Sequence, residues 1–408
     1  NPSLRKDPMN TTTDSAPETL RARMVDTILA AGHAQTPAVE AVLRAVPRHR
    51  FVPEASLEDA YADIAVITKR ADDGAALSCA SVPTVVAMML DQLDVHPGQR
   101  VLEIGAGTGY NAALLAELVG PDGAVTTIDI DDEVTAGARR GLDATGHEHV
   151  RVITRDGALG APEHGPYDRI IITVGAWDLP PTWHDQLLPG GRLVVPLRWR
   201  GQTQAVAFIR EQDRLRSDRM DLCGFVPMIG QDGEKNGTIT TDGTVTLYYD
   251  IDQPIDTAAL TGVLDQPRTS AWSGITIGTS EPFDGVWLTL TATDPATCRI
   301  AATQTAIDSG LCTPAISSRS PALAEDSSLA YFTYRRLNTP EPRFELGAHA
   351  HGPTGEQLAE RLCTQIRAWN NNRGHHPQIH AHPANTQTVT PPTGQVITKR
   401  DSTLVLLP

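Results

Sequence analysis

The stretch Val101-Leu102-Glu103-Ile104-Gly105-Ala106-Gly107-Thr108-Gly109-Tyr110 constrains the fold more than any other, because an apolar run runs straight into three alternating glycines. Val-Leu-Glu-Ile suits a strand of a parallel sheet covered on both faces. Asn111 to Leu118 has the composition of the helix that follows. Glycine allows positive φ and lets a ligand approach the backbone without meeting a Cβ. A strand, a glycine turn and a helix in this order make a cofactor-binding turn in a doubly wound α/β sheet.

A G-x-G-x-G turn alone also serves dinucleotides and phosphates. The next strand, Ala124 to Ile128, ends in Asp129-Ile130-Asp131, about 20 residues beyond the glycines, where an acid can accept hydrogen bonds from both ribose hydroxyls. The spacing is not G-x-G-x-x-G. A third strand, Val150 to Thr154, leads into Arg155-Asp156-Gly157, where the acid can accept from an adenine amine and the glycine leaves room for the ring. These two features favour S-adenosylmethionine, with S-adenosylhomocysteine as product, over a dinucleotide.

Along the chain, helices are expected over Thr19–Ala31, Pro37–Val46 and Thr84–Leu93, forming a helical cap before the sheet. After the glycine turn, helices and strands alternate to the strand Gly191–Pro196, as in a mainly parallel sheet. Gln204–Arg210 and Arg214–Phe225 read as a closing antiparallel pair. Near Gly230 the composition shifts to Gly, Thr, Asp and Asn, which reads as a linker. The expected division is 1–14 as a tag remnant or disordered end, 15–230 as the cofactor-binding domain, and 231–408 as a smaller C-terminal α+β domain. In that last part, strands are expected at Thr244–Tyr249, Gly285–Thr291, Leu329–Tyr334, Gln378–His382 and Val396–Leu407, with one helix over Thr354–Asn370.

The 408 residues carry a net charge of −15, which disfavours nucleic acid as main partner, because phosphate binding needs a basic surface. No run of 18 apolar residues and no charged-then-apolar leader is present, so a cytoplasmic protein without membrane association is expected. Five scattered cysteines without C-x-x-C indicate neither a disulfide framework nor a zinc knuckle. His349, His351, His375, His376, His380 and His382 read as solvated or alternating strand residues rather than a metal site.

Several stretches together resemble the protein L-isoaspartyl O-methyltransferases over roughly Thr19 to Ile229. They are Pro47-Arg48-His49-Arg50-Phe51-Val52, Ser81-Val82-Pro83, the Val101–Tyr110 turn, Asp129, Asp156-Gly157, Gly190-Gly191 and Phe225-Val226-Pro227. The resemblance implies a Rossmann-like, class I methyltransferase fold. It implies a cofactor site from Ser78, Cys79, Ala80, Glu103, Gly105, Ala106, Gly107, Thr108, Gly109, Tyr110, Asp129, Ile130, Asp156, Gly157 and Val174, with Ser81 as the active-site hydroxyl. Thr84 and Trp177 stand where the chain departs from the family's pattern and are candidates for the substrate side. The long C-terminal part looks like that of the FxLD-system branch, associated with ribosomally made, modified peptides of the lanthipeptide, lasso peptide or graspetide type. That branch implies methylation of an ordinary aspartate in a precursor peptide, leading to aspartimide and isoaspartate; the alternative substrate is an isoaspartyl protein awaiting repair.

Plainer readings stand beside these. Asp129 could cap the helix that begins near Glu133, and Asp156 could close a turn. Ser81 could cap the Thr84 helix. Trp177 could be a packing residue.

Overall fold

The computed structural model describes residues 16–384, 386–387 and 391–408; the expected tag remnant, Asn1–Pro8 within 1–14, lies outside them. The chain divides into two compact units, residues 1–174 with 182–195, and residues 175–181 with 196–408. The second begins earlier than the composition shift near residue 230 suggests, because strand Leu215–Leu222 pairs with Gln378–Pro383 near the C-terminus, through His380↔Arg216 and Ala381↔Leu215.

The first unit opens with helices α1 (Pro17–Ala30), α2 (Pro37–Ala45) and α3 (Leu57–Tyr61). Thr36 starts α2 by accepting from the Val39 N–H at 3.2 Å, and Pro37 supplies a helix-ready φ at the first position. Strands β1 (Val66–Arg70) and β2 (Ala76–Ala80) form an antiparallel hairpin that pairs with no third strand among the described residues. The sequence reading treats this segment only as part of a mostly helical cap. Its Ile-Thr-Lys-Arg run followed by Asp-Asp-Gly carries the signature of a strand and turn. Helix α4 (Pro83–Leu93) follows directly.

The sheet of this unit comprises β3 (Arg100–Ile104), β4 (Ala124–Asp129), β5 (Arg151–Thr154), β6 (Tyr167–Ile172) and the first part of β7 (Leu187–Trp199). Its order is β5-β4-β3-β6-β7, and every pair is parallel. Val101, Leu102, Ile170, Ile172, Leu193 and Val194 are 0% exposed, as expected for strands covered on both faces. Helices α5 (Tyr110–Val119) and α6 (Asp132–Asp143) supply the crossovers, and α7 (Pro181–Gln186) precedes β7. With β3 central and the order reversing beside it, the ends of β3, β4 and β5 form the crevice where such sheets take ligands. The doubly wound α/β expectation holds here.

In the second unit, β8 (Gln202–Arg210) and β9 (Leu215–Leu222) form the expected antiparallel pair. A separate antiparallel sheet is built from β10 (Glu234–Thr238), β11 (Val245–Asp250), β12 (Thr269–Gly278), β13 (Thr297–Ala302), β14 (Ser320–Glu325), β15 (Ser328–Arg336) and β16 (Arg343–His351), in the order β10-β11-β13-β14-β15-β16-β12. Helices α8 (Gly285–Thr293), α9 (Gln304–Asp308) and α10 (Gly355–Asn371) accompany it, and β17 (Gln378–Pro383), β18 (Gln395–Thr398) and β19 (Ser402–Leu407) close the chain.

Two expectations in this unit are corrected. Gly285–Thr291, expected as a Thr-rich strand, is helix α8. Its Val286, Leu290 and Trp287 are buried, and Gly285 lies so close to Trp369 of α10 that a Cβ would sit 2.6 Å from the indole nitrogen. Tertiary packing overrides β-propensity at this position. The single terminal strand Val396–Leu407 is instead a hairpin of β18 and β19.

Candidate cofactor and active site

The glycine turn has the geometry that only glycine supports without strain. Gly105, Gly107 and Gly109 have φ of +101°, +51° and +87°. A Cβ on Gly105 would meet Thr173 Oγ1 at 2.7 Å, and one on Gly109 would meet the Ala138 carbonyl at 3.0 Å. The Gly105 and Ala106 N–H groups both donate to the Ile128 carbonyl, at 2.8 and 2.9 Å, which holds the turn against the end of β4. Thr173 Oγ1 donates to the Gly105 carbonyl at 2.6 Å, and Val174 flanks the same glycine. Thr108 Oγ1 accepts from Tyr110 N–H at 3.3 Å and lines a cavity together with Gly107.

Asp129 lies one strand away. One carboxylate oxygen accepts from the Gly107 N–H at 3.2 Å and the other from the Asp131 N–H at 3.3 Å. Burial pushes its carboxyl above the ordinary range, while those two donors pull the other way. Capping of α6 falls to Asp131, which accepts from the Glu133 and Val134 N–H groups at 3.0 and 3.3 Å. Asp129 is thus released from the capping role that was its plainer alternative.

Asp156 does close a turn: its Oδ1 accepts from the Ala158 N–H at 2.9 Å at the start of the short helical turn Gly157–Leu159. Its Oδ2 accepts no hydrogen bond among the described residues. Gly157 is held from beneath, where the Trp183 indole donates to its carbonyl at 2.9 Å. Ile130 and Leu159 are 47% and 55% exposed, apolar side chains beside Asp129 and Asp156 on neighbouring strand ends. Two acids with acceptor capacity, two open apolar side chains and a glycine turn without side chains fit an adenosyl cofactor.

Two predicted cofactor residues are turned inward. Glu103 is 0% exposed; Asn111 Nδ2 donates to one oxygen at 2.6 Å and Thr127 Oγ1 to the other at 2.7 Å. Burial pushes its carboxyl up to about 7. It ties β3 to α5 and β4 and has no surface left for a ligand. Tyr110 is 2% exposed, packs on Phe51 and lies beneath the Arg48 guanidinium, 5.0 Å from the ring centre. Burial pushes its phenol up to about 12.

Ser78, Cys79 and Ala80 form the end of β2, Ser81 follows directly, and Ser78 lines the same cavity as Gly107 and Thr108. The Cys79 carbonyl stands 3.4 Å from where a Gly107 Cβ would be. Burial raises the Cys79 thiol, with the nearby Ser81 hydroxyl pulling the other way. Ser81 does not cap α4: the cap position is Val82, without a side-chain bond, and Asp63 instead accepts from the Thr84 N–H at 3.0 Å. Asp63 also takes the Thr84 hydroxyl at 3.1 Å, so Thr84 is engaged in the start of α4 rather than presented to a substrate.

Sequence reasoning missed what holds Ser81 in place. Arg48, 0% exposed and without a carboxylate partner among the described residues, donates from Nε to the Ala60 carbonyl and from Nη2 to the Ser81 carbonyl, both at 2.8 Å. Desolvation lowers its pKa. The Pro-Arg-His-Arg-Phe motif was visible in the sequence, but not which carbonyls its first arginine would reach. Also unforeseen is Lys69 on β1, whose Nζ lies 2.6 Å from both Asp131 Oδ2 and Glu133 Oε2.

Trp177 belongs to the second unit and is 5% exposed. Its indole donates to Asp250 Oδ1 at 3.1 Å, its face carries Lys399 Nζ 4.5 Å from the ring centre, and its ring covers Gly233. It is a packing residue of that unit, which corrects its assignment to the substrate side. Among the described residues no group of three or more His, Cys, Asp or Glu is placed to hold a metal, and no helix is long and apolar enough to cross a membrane.

Residues 19–233 match the family model described as protein-L-isoaspartate(D-aspartate) O-methyltransferase. A protein-L-isoaspartate O-methyltransferase of Methanopyrus kandleri is 40% identical over 215 residues, which is 52% of this chain and 92% of that protein. One from Methanoregula boonei is 40% identical over 216 residues, covering 53% and 95%. A solved structure named protein-L-isoaspartate O-methyltransferase aligns with 88% of this chain and 96% of its own, at 21% identity and a TM-score of 0.49.

Proposed function

We propose, from the premise that the chain belongs to the protein-L-isoaspartate(D-aspartate) O-methyltransferase family, that it methylates the free carboxylate of an isoaspartyl residue in a protein or peptide. The observation that carries this reading is the approach of the Ser78–Ser81 segment to the glycine turn, with the Cys79 carbonyl 3.4 Å from a Cβ position on Gly107. That approach supports a substrate-side role for the hydroxyl of Ser81, two residues further along the chain.

S-adenosylmethionine supplies an electrophilic methyl group. The chain's residues bind, orient and exclude water. A carboxylate with pKa near 3.9 is already ionised at neutral pH, so no general base is needed. Asp129 would hold the ribose hydroxyls, Asp156 Oδ2 would accept from the adenine amine, and Ile130 and Leu159 would cover the ring. The Ser81 hydroxyl donates to one carboxylate oxygen and leaves the other to attack. Holding the two reactants in line can supply roughly 7 to 11 kcal/mol of the barrier. Once the ester forms, methanol is a far better leaving group than oxide. The neighbouring backbone amide nitrogen then closes onto the carbonyl to give a succinimide, which water opens to aspartate or isoaspartate.

A second reading is favoured by the residues beyond 233, which lie outside the family match yet build a seven-stranded sheet with packed helices. In this reading the second unit recognises a ribosomally made precursor peptide and the carboxylate methylated is that of an ordinary aspartate. Peptide recognition of this kind needs only a sheet edge or an apolar groove. Incubating the full chain and cofactor with a generic isoaspartyl peptide and its aspartyl counterpart separates the two. Turnover of the isoaspartyl peptide alone supports the first reading; inactivity on it, with methylation of one aspartate in a structured precursor, supports the second.

A further inference from the structure

We infer that Lys69 is a positioning residue of the cofactor crevice, pinning the β1–β2 hairpin to the acidic segment behind Asp129 and so coupling the placement of Ser78–Ser81 to cofactor binding. The hairpin pairs with no third strand among the described residues, and an isolated two-stranded hairpin is marginally stable. Its position depends on ties made by side chains. At its exit, Arg48 holds the Ser81 carbonyl. On its first strand, Lys69 reaches Asp131 and Glu133, each at 2.6 Å.

Those two acids connect directly to the crevice. Asp131 spends Oδ1 on the first N–H groups of α6 and Oδ2 on Lys69, so its side chain is fixed from both ends. Its own N–H donates to Asp129, which in turn accepts from Gly107. A chain of hydrogen bonds therefore runs from hairpin to glycine turn through the acid assigned to the ribose. The same pair also spans a cavity of about 870 Å³, with Lys69 on the β1 wall and Glu133 on the α6 wall, and with Ser78, Gly107 and Thr108 among its lining. Without the lysine, Asp129, Asp131, Asp132 and Glu133 would place four carboxyl groups within five residues without the ion pairs that Lys69 makes from β1. Lysine is scarce in this chain, at positions 6, 69, 235 and 399 only.

The inference rests on the cofactor assignment, and its test reads binding rather than turnover. Calorimetry with S-adenosylhomocysteine on the full chain, at low and high salt, gives the affinity; stopped-flow competition gives the release rate. Lys69→Met is expected to bind roughly threefold to fivefold more weakly and to release faster, within the range of a partly exposed charge network. Lys69→Arg should stay within about twofold of wild type. Added salt should weaken wild-type binding and leave Lys69→Met nearly unchanged, because the screened interaction is already gone. Arg70→Met, a change to the neighbouring cation whose guanidinium bonds the Gly74 carbonyl and no carboxylate among the described residues, should bind as wild type. Should Lys69→Met fold poorly by its melting curve, Lys69→Gln carries the same test. Wild-type affinity in Lys69→Met or Lys69→Gln, or an unaltered salt response, overturns the inference. Absence of binding by the wild-type chain overturns the cofactor assignment itself.

Discussion

The two rims of the cofactor crevice are built by opposite means. On one side the Gly105–Gly109 turn is fixed by its own backbone: three positive φ angles and contacts so close that side chains are excluded. On the other the β1–β2 hairpin and Ser81 are held by side chains from distant positions, Arg48 and Lys69. A backbone-fixed rim has little tolerance for substitution. A rim held by side chains can be loosened by degrees, which suits the element that admits a substrate.

The largest expected effect tests the rigid rim. Gly105→Val should abolish S-adenosylhomocysteine binding by calorimetry, because its Cβ would meet Thr173 Oγ1 at 2.7 Å in a conformation with φ +101° that valine does not adopt. Binding within a few fold of wild type would show that the turn yields, and the contrast between the rims would collapse.

Next comes the buried acid behind that rim. Glu103 has a folded-state pKa of about 7, above the unfolded value of about 4.3. The folded state therefore binds more protons between these values, and this group's contribution to stability falls as pH rises from about 4.3 to about 7, then stays level. The total is on the order of 4 kcal/mol. Glu103→Gln should remove that slope from denaturant titrations run between pH 5 and 8. A slope equal to wild type would mean the carboxylate is solvated rather than buried.

Asp129→Asn should weaken cofactor binding by about 1.5 to 3 kcal/mol, the contribution of hydrogen bonds to a charged acceptor. Melting temperature should change little, since Asp131 caps α6. On the looser rim, Ser81→Ala should lower kcat roughly tenfold while leaving cofactor affinity unaltered, because its hydroxyl is assigned to the substrate carboxylate. A cofactor affinity that falls together with kcat would move Ser81 from the substrate to the cofactor.

The same contrast explains what could be read from the sequence. Gly105, Gly107, Gly109, Asp129 and the alternating strands declare themselves because backbone conformation and strand period leave local signatures. Asp156 was legible as an acid at a strand end, although one of its oxygens also closes a turn. Lys69, Arg48 and Asp63 left no such mark, since their partners lie 62 to 64, 33 and 21 positions away along the chain. Glu103 and Tyr110 sit inside the motif, yet the sequence does not reveal that they face the core. Trp177 was placed by its position after a strand, and the packing around Gly233 and Asp250 is what claims it. Helix α8 shows the same limit in the second unit: its Thr and Trp residues favour a strand locally, and packing against Trp369 decides otherwise.

The smallest effect concerns Thr84, on the border between holding the hairpin's exit and meeting the substrate. Val82 gives α4 no side-chain cap, and Asp63 takes over by accepting from both the N–H and the hydroxyl of Thr84. Thr84→Val deletes only the hydroxyl bond. It should cost about 0.5 to 1 kcal/mol of stability in denaturant titrations, the low end for a partly solvated hydrogen bond. Asp63→Ala deletes both bonds and should cost about twice that, as loss of a cap does. Neither change should move KM for the peptide, because the hydroxyl is already committed to Asp63. A rise in KM with Thr84→Val at unchanged stability would return Thr84 to the substrate side and make the start of α4 part of the adjustable rim.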